Sequence, residues 1–273
     1  MAFGEASGGA WSSSGATARL RQAGGTALGA GWARALDLVY PPRCPITDEA
    51  VTRHGAFAPA AWAQATLLAP PWCSACGLPF GPSDAVATLC VPCAAPTRFR
   101  SALTGPGKLD ALRAAMAYDE ASAPMILGLK YGDRQDVAPA LARLLDRAGE
   151  EVLTDGAILV PVPLHPRRLR ARRFNQAAVL AQNLARLSGH AAAPMALRRV
   201  KPTPPQKGMS PAARRRNVAG AFAARGSAPE RVVLIDDVLT SGATLLGCAR
   251  ALRRAGARHV SALTLARVVK TRV

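Results

Sequence analysis

Residues 231–244 read Arg-Val-Val-Leu-Ile-Asp-Asp-Val-Leu-Thr-Ser-Gly-Ala-Thr. The run Val232 to Ile235 is apolar without alternation and closes on a polar break, the pattern of a strand covered on both faces. Asp236 and Asp237 then stand at that strand's C-terminal end. Thr240-Ser241-Gly242-Ala243-Thr244 is a small-residue turn opening directly into a helical pattern. A turn entering a helix presents unpaired backbone N–H groups and the positive end of the helix dipole, and both suit a phosphate. The hydroxyls of Thr240, Ser241 and Thr244 add donors, and Gly242 allows close approach of the backbone. Two carboxylates one turn away can accept hydrogen bonds from a sugar's vicinal hydroxyls. The segment therefore reads as a cradle for a ribose 5-phosphate. A capped βα junction with two surface acids is the plainer alternative, but the ordered combination is far more restrictive than a strand-turn-helix alone.

Outward from this stretch, the pattern alternates between strand and helix, as in a layered α/β domain. Leu245, Ala249 and Leu252 form the buried stripe of a helix ended by Gly256, and Val260 to Ala266 closes the domain as a last strand. Upstream, Ala114 to Tyr118 predicts a first strand, and Met125, Ile126 and Leu129 a short helix. Val137, Leu141, Leu144 and Ala148 continue at helical spacing. Residues 157–162 predict a central strand, and a helix from Asn175 carries Leu180, Leu184 and Leu187 on one face. Met195 to Val200 predicts another strand, and 201–220, rich in Pro, Gln and Arg, a mobile loop. The turn Pro163-Leu164-His165-Pro166-Arg167-Arg168 follows the 157–162 strand. Its arginines offer planar forks to phosphate oxygens, so a second anion site is expected there, with a basic surface turn as the alternative. His165 is read as a local hydrogen-bonding residue.

The chain has 273 residues and a net charge of +18, nearly all from arginine, since there are five lysines. That excess favours polyanionic partners, phosphorylated metabolites or nucleic acid. Arginines cluster at 167–173 and 214–216, with Phe174 the one interleaved aromatic, so no stacking platform for single strands is signalled. No apolar run reaches the 18 residues of a membrane span. The Ala-, Gly- and Ser-rich residues 1–33 predict a disordered tail. No internal repeat is legible. Cys73-x-x-Cys76 and Cys90-x-x-Cys93 are two knuckles that can converge on one tetrahedral Zn²⁺, with Gly77 freeing the first turn. Two disulfides are the alternative. Nothing signals export, so thiolates holding a structural metal in the cytoplasm are expected. Cys44 and Cys248 are read as small buried residues. The expected division is a tail over 1–33, a zinc module over 34–100 and an α/β domain over 101–273.

With these pieces in order, the chain resembles the ComF family, bacterial proteins that join a zinc-finger segment to a type I phosphoribosyltransferase-like domain. The segments that carry the resemblance are 36–44, the two knuckles, 129–133, 160–176, 203–217 and 232–244. One departure stands out: the family's further cysteines near Cys44 and before Trp62 are missing, with Thr47 and Phe57 to Ala61 in their place. One zinc, on Cys73, Cys76, Cys90 and Cys93, is therefore expected. The resemblance implies that Asp236 and Asp237 hold ribose hydroxyls and that Thr240, Ser241, Gly242, Ala243 and Thr244 hold the phosphate of phosphoribosyl pyrophosphate. It implies that His165, Arg167 and Arg168 face the pyrophosphate with Mg²⁺. It also implies that Lys207 and Arg214 to Arg216 sit on a mobile hood. Competence, with single-stranded DNA and DNA-uptake proteins as partners, is the implied role; an active phosphoribosyltransferase with an unknown acceptor is the alternative.

Overall fold

The structure is a computed structural model that describes residues 37–81, 87–95, 103–104, 108–131, 134–202, 210, 213 and 216–269. The expected tail over 1–33 lies outside the described residues. The chain divides into two compact units, Met1–Pro41 and Pro42–Val273. Residues 37–41 of the first unit are described and include one helical turn. Everything below concerns the second.

The expected α/β architecture is present, with four parallel strands at its centre. β1 (Leu112–Ala117), β2 (Ile158–Pro161), β5 (Arg231–Leu239) and β6 (His259–Arg267) lie in the order β1-β6-β5-β2. Alternation along β5 feeds two cores. Val233 and Ile235 pack on one face with Leu141 and Leu145 of a helix Ala138–Gly149 and with Leu180 and Leu184 of a helix Gln176–Ser188. Val232 and Leu234 pack on the other with Leu245, Ala249 and Leu252 of a helix Ala243–Arg254. Successive strand residues point to opposite faces, so an unbroken apolar run is what a sheet sandwiched between helices requires. In chain order the helices are α1 (Pro59–Gln64), α2 (Val91–Ala94), α3 (Ala123–Tyr131), α4 (Ala138–Gly149), α5 (Pro166–Arg172), α6 (Gln176–Ser188) and α7 (Ala243–Arg254). No helix among the described residues is long and apolar enough to cross a membrane.

Three expectations are corrected, the first being the central place given to residues 157–162, whose strand β2 is an edge of the sheet. β5 does not stop at Ile235; it runs on to Leu239, so Asp236 and Asp237 lie within the strand, where Asp236 pairs with Thr264 of β6. The neighbouring β2 ends opposite Ile235, which leaves the two carboxylates beyond it. The strand expected over Met195 to Val200 is β3 (Leu197–Arg199), and it lies outside the main sheet. It forms an antiparallel pair with β4 (Phe222–Ala224), which the sequence reading missed because three residues show no periodicity. This pair is the base of the 200–221 excursion, and Phe222 packs so closely on Gly247 of α7 that a Cβ there would crowd its ring.

Both sheet edges are covered, which removes the open backbone rows that invite aggregation. Ala191 and Ala193 hydrogen-bond Leu159 on the β2 edge. On the β1 edge, Thr66 and Leu68 of the zinc module pair with Ala117 and Ala115, and Leu112 donates to Ala75 O at 2.9 Å.

Candidate functional site

β2 ends opposite Ile235 while β5 runs on to Leu239, so the turn after β2 leaves the sheet beside Asp236 and the crevice between the two connections lies at this one end of the sheet. Ligands of open parallel sheets bind at such strand ends. Asp236 and Val238 through Leu245 line a single small cleft. Asp236 is partly ordered by its neighbour, the Asp237 N–H donating to its Oδ1 at 2.9 Å. Gly242 stands at the N-cap of α7 in the left-handed region (φ 68°), and no side chain caps the helix. The Ser241 hydroxyl is buried and has no hydrogen-bond partner. An uncapped helix start beside a buried orphan hydroxyl gathers donors that suit an anionic acceptor. The Cβ side of Gly242 is taken by Leu103, whose Cδ2 a side chain there would overlap.

On the other side of the crevice, α5 carries Arg167, Arg168, Arg170 and Arg172, and none of its side chains is buried. Packing does not hold this helix; its two ends do. His165 Nδ1 accepts from the Arg167 N–H at 3.3 Å and caps the start, so His165 acts as the local hydrogen-bonding residue expected. Past the left-handed Arg173, Asn175 Nδ2 donates to Val162 O at 3.0 Å while its Oδ1 accepts from the Ala177 N–H at 3.1 Å. Asn175 thereby ties α5 back to the end of β2 and caps α6 in one step.

Arg199 on β3 was missed from sequence. Leu197 and Arg199 are buried and Arg198 exposed, so strand alternation turns Arg199 inward. Its guanidinium stacks over Phe222 at 5.3 Å from the ring centre. Burial, then the charge of Arg168, pull it below the ordinary arginine value, while Cys248 and Asp236 act the other way. The β3–β4 pair thus holds a buried cation within electrostatic reach of both Arg168 and Asp236. Lys207, Arg214 and Arg215 lie outside the described residues, and Arg216 is exposed.

The four cysteines of the knuckles converge. Cys73, Cys76, Cys90 and Cys93 are buried, and their Sγ atoms all lie within 4.8 Å of one another, with Cys76 and Cys90 3.6 Å apart. Four thiolates about 2.3 Å from a tetrahedral Zn²⁺ sit about 3.8 Å apart, so the set fits a closed structural site. Gly77 (φ 63°) makes the first turn, and a Cβ there would strike Leu112 O on β1. Burial works to raise the Cys73 thiol, but backbone groups of Cys76, Cys90 and Ala75 bring it down to about 7. Burial pushes Cys76 up to about 11 and raises Cys90 as well. The module is clamped to the sheet by Arg113, 2% exposed, which hydrogen-bonds Ser74 O at 2.8 Å, pairs with Glu151 and lies under Trp72. Trp72 Nε1 in turn donates to Glu151 Oε1 at 3.0 Å.

The upstream segment that lacks the family's further cysteines repeats the same backbone. Cys44 N–H donates to Glu49 O at 2.8 Å and Asp48 N–H to Cys44 O at 3.0 Å, as Cys73 N–H does to Leu78 O and Gly77 N–H to Cys73 O, both at 2.8 Å. Arg43 bridges Ala50 as Trp72 bridges Pro79, and Asp48 (φ 57°) takes the left-handed place of Gly77. Ala58 starts α1 at φ −67°, ψ 156°, as Cys90 starts α2 at φ −68°, ψ 156°. The Ala58 backbone hydrogen-bonds the Cys44 sulfur as that of Cys90 does Cys73. Thr47, Ala58 and Ala61 therefore occupy the places of Cys76, Cys90 and Cys93. Cys44, Ala58 and Ala61 are buried and join the main core with Phe57, so apolar packing stands where the second ribbon has its four-cysteine cluster.

Residues 35–94 match the model of the double zinc ribbon domain. The chain is 34% identical over 159 residues to competence protein F of Haemophilus influenzae, covering 55% of this chain and 69% of that protein. It is 34% identical over 208 residues to DNA utilization protein YhgH of Salmonella typhi and over 206 residues to that of Escherichia coli K12. Each of these matches covers 72% of this chain and 84% of the relative.

Proposed function

Because the chain belongs to the ComF family, we propose that it serves competence and DNA utilisation, the roles its relatives are named for, by binding phosphoribosyl pyrophosphate or a related phosphorylated ligand at Asp236–Thr244. One observation carries the ligand reading: the buried, unpartnered Ser241 hydroxyl beside the uncapped start of α7, in the same cleft as Asp236. Backbone N–H groups and hydroxyls of residues 240–244 take the 5′-phosphate, and Asp236 and Asp237 take the ribose hydroxyls. His165, Arg167 and Arg168 stand where the pyrophosphate would extend, with Arg199 behind them. The turn 163–168 has no carboxylate, so Mg²⁺ would arrive on the ligand's oxygens rather than in a protein cage, and would offset the pyrophosphate charge there. Lys207 and Arg214 to Arg216 are assigned to the phosphates by the family resemblance, and the arginines also suit the backbone of single-stranded DNA. The buried four-thiol cluster suits a metal in a reducing compartment, and the cytoplasm is the proposed place of action.

Calorimetric titration with phosphoribosyl pyrophosphate and Mg²⁺ tests the reading. Saturable heat that disappears in Asp236→Ala/Asp237→Ala is expected; no heat with the wild-type chain, or an unchanged affinity in the variant, sinks it. Pyrophosphate release on adding a panel of nucleobases would promote the alternative, an active phosphoribosyltransferase. There the chain would work by positioning and by stabilising the leaving pyrophosphate. Single-stranded DNA binding should weaken with salt and with Arg216→Ala; salt-independent binding counts against a backbone contact.

A further inference from the structure

The zinc site and the 240–244 loop are joined by two short routes. Arg267 ends β6 and is 7% exposed; its Nη1 donates to Cys76 O at 2.6 Å. The charges that act on this buried cation are the Cys76, Cys90 and Cys73 sulfurs. Arg267 is also the β6 partner of Leu239, and the next residue, Val268, donates its N–H to Leu239 O at 3.0 Å. Leu239 is the residue before the loop. The second route leaves from the other knuckle. Cys93 Sγ lies 3.6 Å from the hydroxyl of Thr104, which is 3% exposed. The adjacent Leu103 fills the space over Gly242, in the middle of the loop, and accepts a backbone hydrogen bond from Leu109 at 3.1 Å. One route therefore reaches the residue just before the loop and the other the loop's centre.

We propose that the zinc ribbon positions the ligand loop, with Arg267 and Leu103 as the residues that transmit the metal site's order to Leu239–Thr244. Four thiolates on one divalent ion carry net negative charge, which is what a buried guanidinium needs beside it. Loss of the metal loosens Cys76 O and the sulfurs together, so Arg267 loses its acceptor and its counter-charge at the strand end next to the loop. Loosening of Cys93 frees Thr104, and with it the leucine seated on Gly242. The inference goes beyond ligand binding, because the order of the loop is defined without a ligand.

Hydrogen exchange read by mass spectrometry on the full chain, with no ligand added, tests it. Peptides covering 239–245 are followed in zinc-loaded and chelator-treated protein, with α6 as the reference. Removing zinc should speed exchange in the loop by at least about five-fold, the lower end of coupling between linked sites, while α6 holds its protection. An unchanged loop after metal loss overturns the proposal, and so does an equal loss of protection in α6, which would report general unfolding. In zinc-loaded Leu103→Ala, faster loop exchange or weaker zinc retention supports it, since coupling is reciprocal. A variant matching wild type in both measures overturns it. Failure of phosphoribosyl pyrophosphate to bind would leave these results standing.

Discussion

Three substitutions, Thr47→Cys, Ala58→Cys and Ala61→Cys, should give the chain a second zinc. The first ribbon has the backbone of the second, down to the left-handed residue after its second ligand position and the extended residue that starts its helix. Cys44 is already in place and buried, with the Ala58 backbone on its sulfur. What separates the two sites is three sulfur atoms. Without metal, the three new thiols crowd a site that now packs two alanines, and overpacking of this kind costs about 1–3 kcal/mol. With metal, structural zinc in small modules contributes apparent binding energies of about 10–16 kcal/mol near neutral pH, so the sign reverses by a wide margin. The triple variant should thus melt below wild type when stripped of zinc and above it when loaded.

The assay is metal content by elemental analysis on refolded, dialysed protein, together with thermal unfolding with and without a chelator. Wild type should hold about one zinc per chain and the triple variant about two, as four thiolates close one tetrahedral site. A variant that refolds with the wild-type metal content, in excess zinc and reductant, would refute the equivalence of the two ribbons.

Gly242→Ala should cost about 1–2 kcal/mol for a left-handed alanine, plus the displacement of Leu103. Combining it with Leu103→Ala should recover part of the loss, and strict additivity in urea unfolding would show that the two do not touch. Glu151→Gln should cost about 1–2 kcal/mol, because Arg113 is buried but the Glu151 side chain is half exposed, which trims the usual cost of breaking a buried pair. Burial works to raise the Glu151 carboxyl, but hydrogen bonds from Arg113 and Trp72 hold it below its ordinary value. Its stabilisation is therefore complete above the ordinary range of about 4.3 and is lost as pH falls through the lowered value, so the gap between variant and wild type should be flat above about pH 5 and close below it. Zinc uptake near pH 7 should release protons from at least Cys76 and Cys90, whose thiols are raised, and buffer-independent binding heats would contradict this.

The α/β core was legible because each of its elements is long enough to show its period. Val232 to Ile235 read as a strand buried on both sides, and of Leu180, Leu184 and Leu187, read on one helix face, the first two join the core while Leu187 is exposed. The two knuckles were legible for a different reason: Cys-x-x-Cys is chemistry written at fixed spacing. The first ribbon was legible only as missing cysteines beside a family resemblance, because its construction lies in backbone hydrogen bonds and one left-handed residue. Thr47, Ala58 and Ala61 carry no spacing signal once the sulfurs are gone. β3 and β4 escaped because a three-residue strand has no period to read.

Arg199 shows why the rest of the site could not be read from sequence. In a chain where arginine supplies most of a charge of +18, one more arginine in a run of basic residues carries no information. Its meaning comes from burial: a guanidinium 8% exposed, stacked on Phe222, within electrostatic reach of Asp236 on one side and Arg168 on the other. Two like charges held this close oppose each other, and burial sharpens the opposition because less water screens it. A surface arginine would relax away. Arg199 is kept in place by the β3–β4 pair and by Phe222, itself locked on Gly247 of the helix that starts at the ligand loop. An anion placed between Arg168 and Arg199 would relieve that repulsion. If the proposed pyrophosphate site is right, replacing Arg199 by Met should weaken pyrophosphate binding while relieving the repulsion with Arg168, so that the variant chain is no less stable than wild type in urea unfolding. A variant that binds pyrophosphate as wild type does would show that the arginine serves the hairpin and not the crevice.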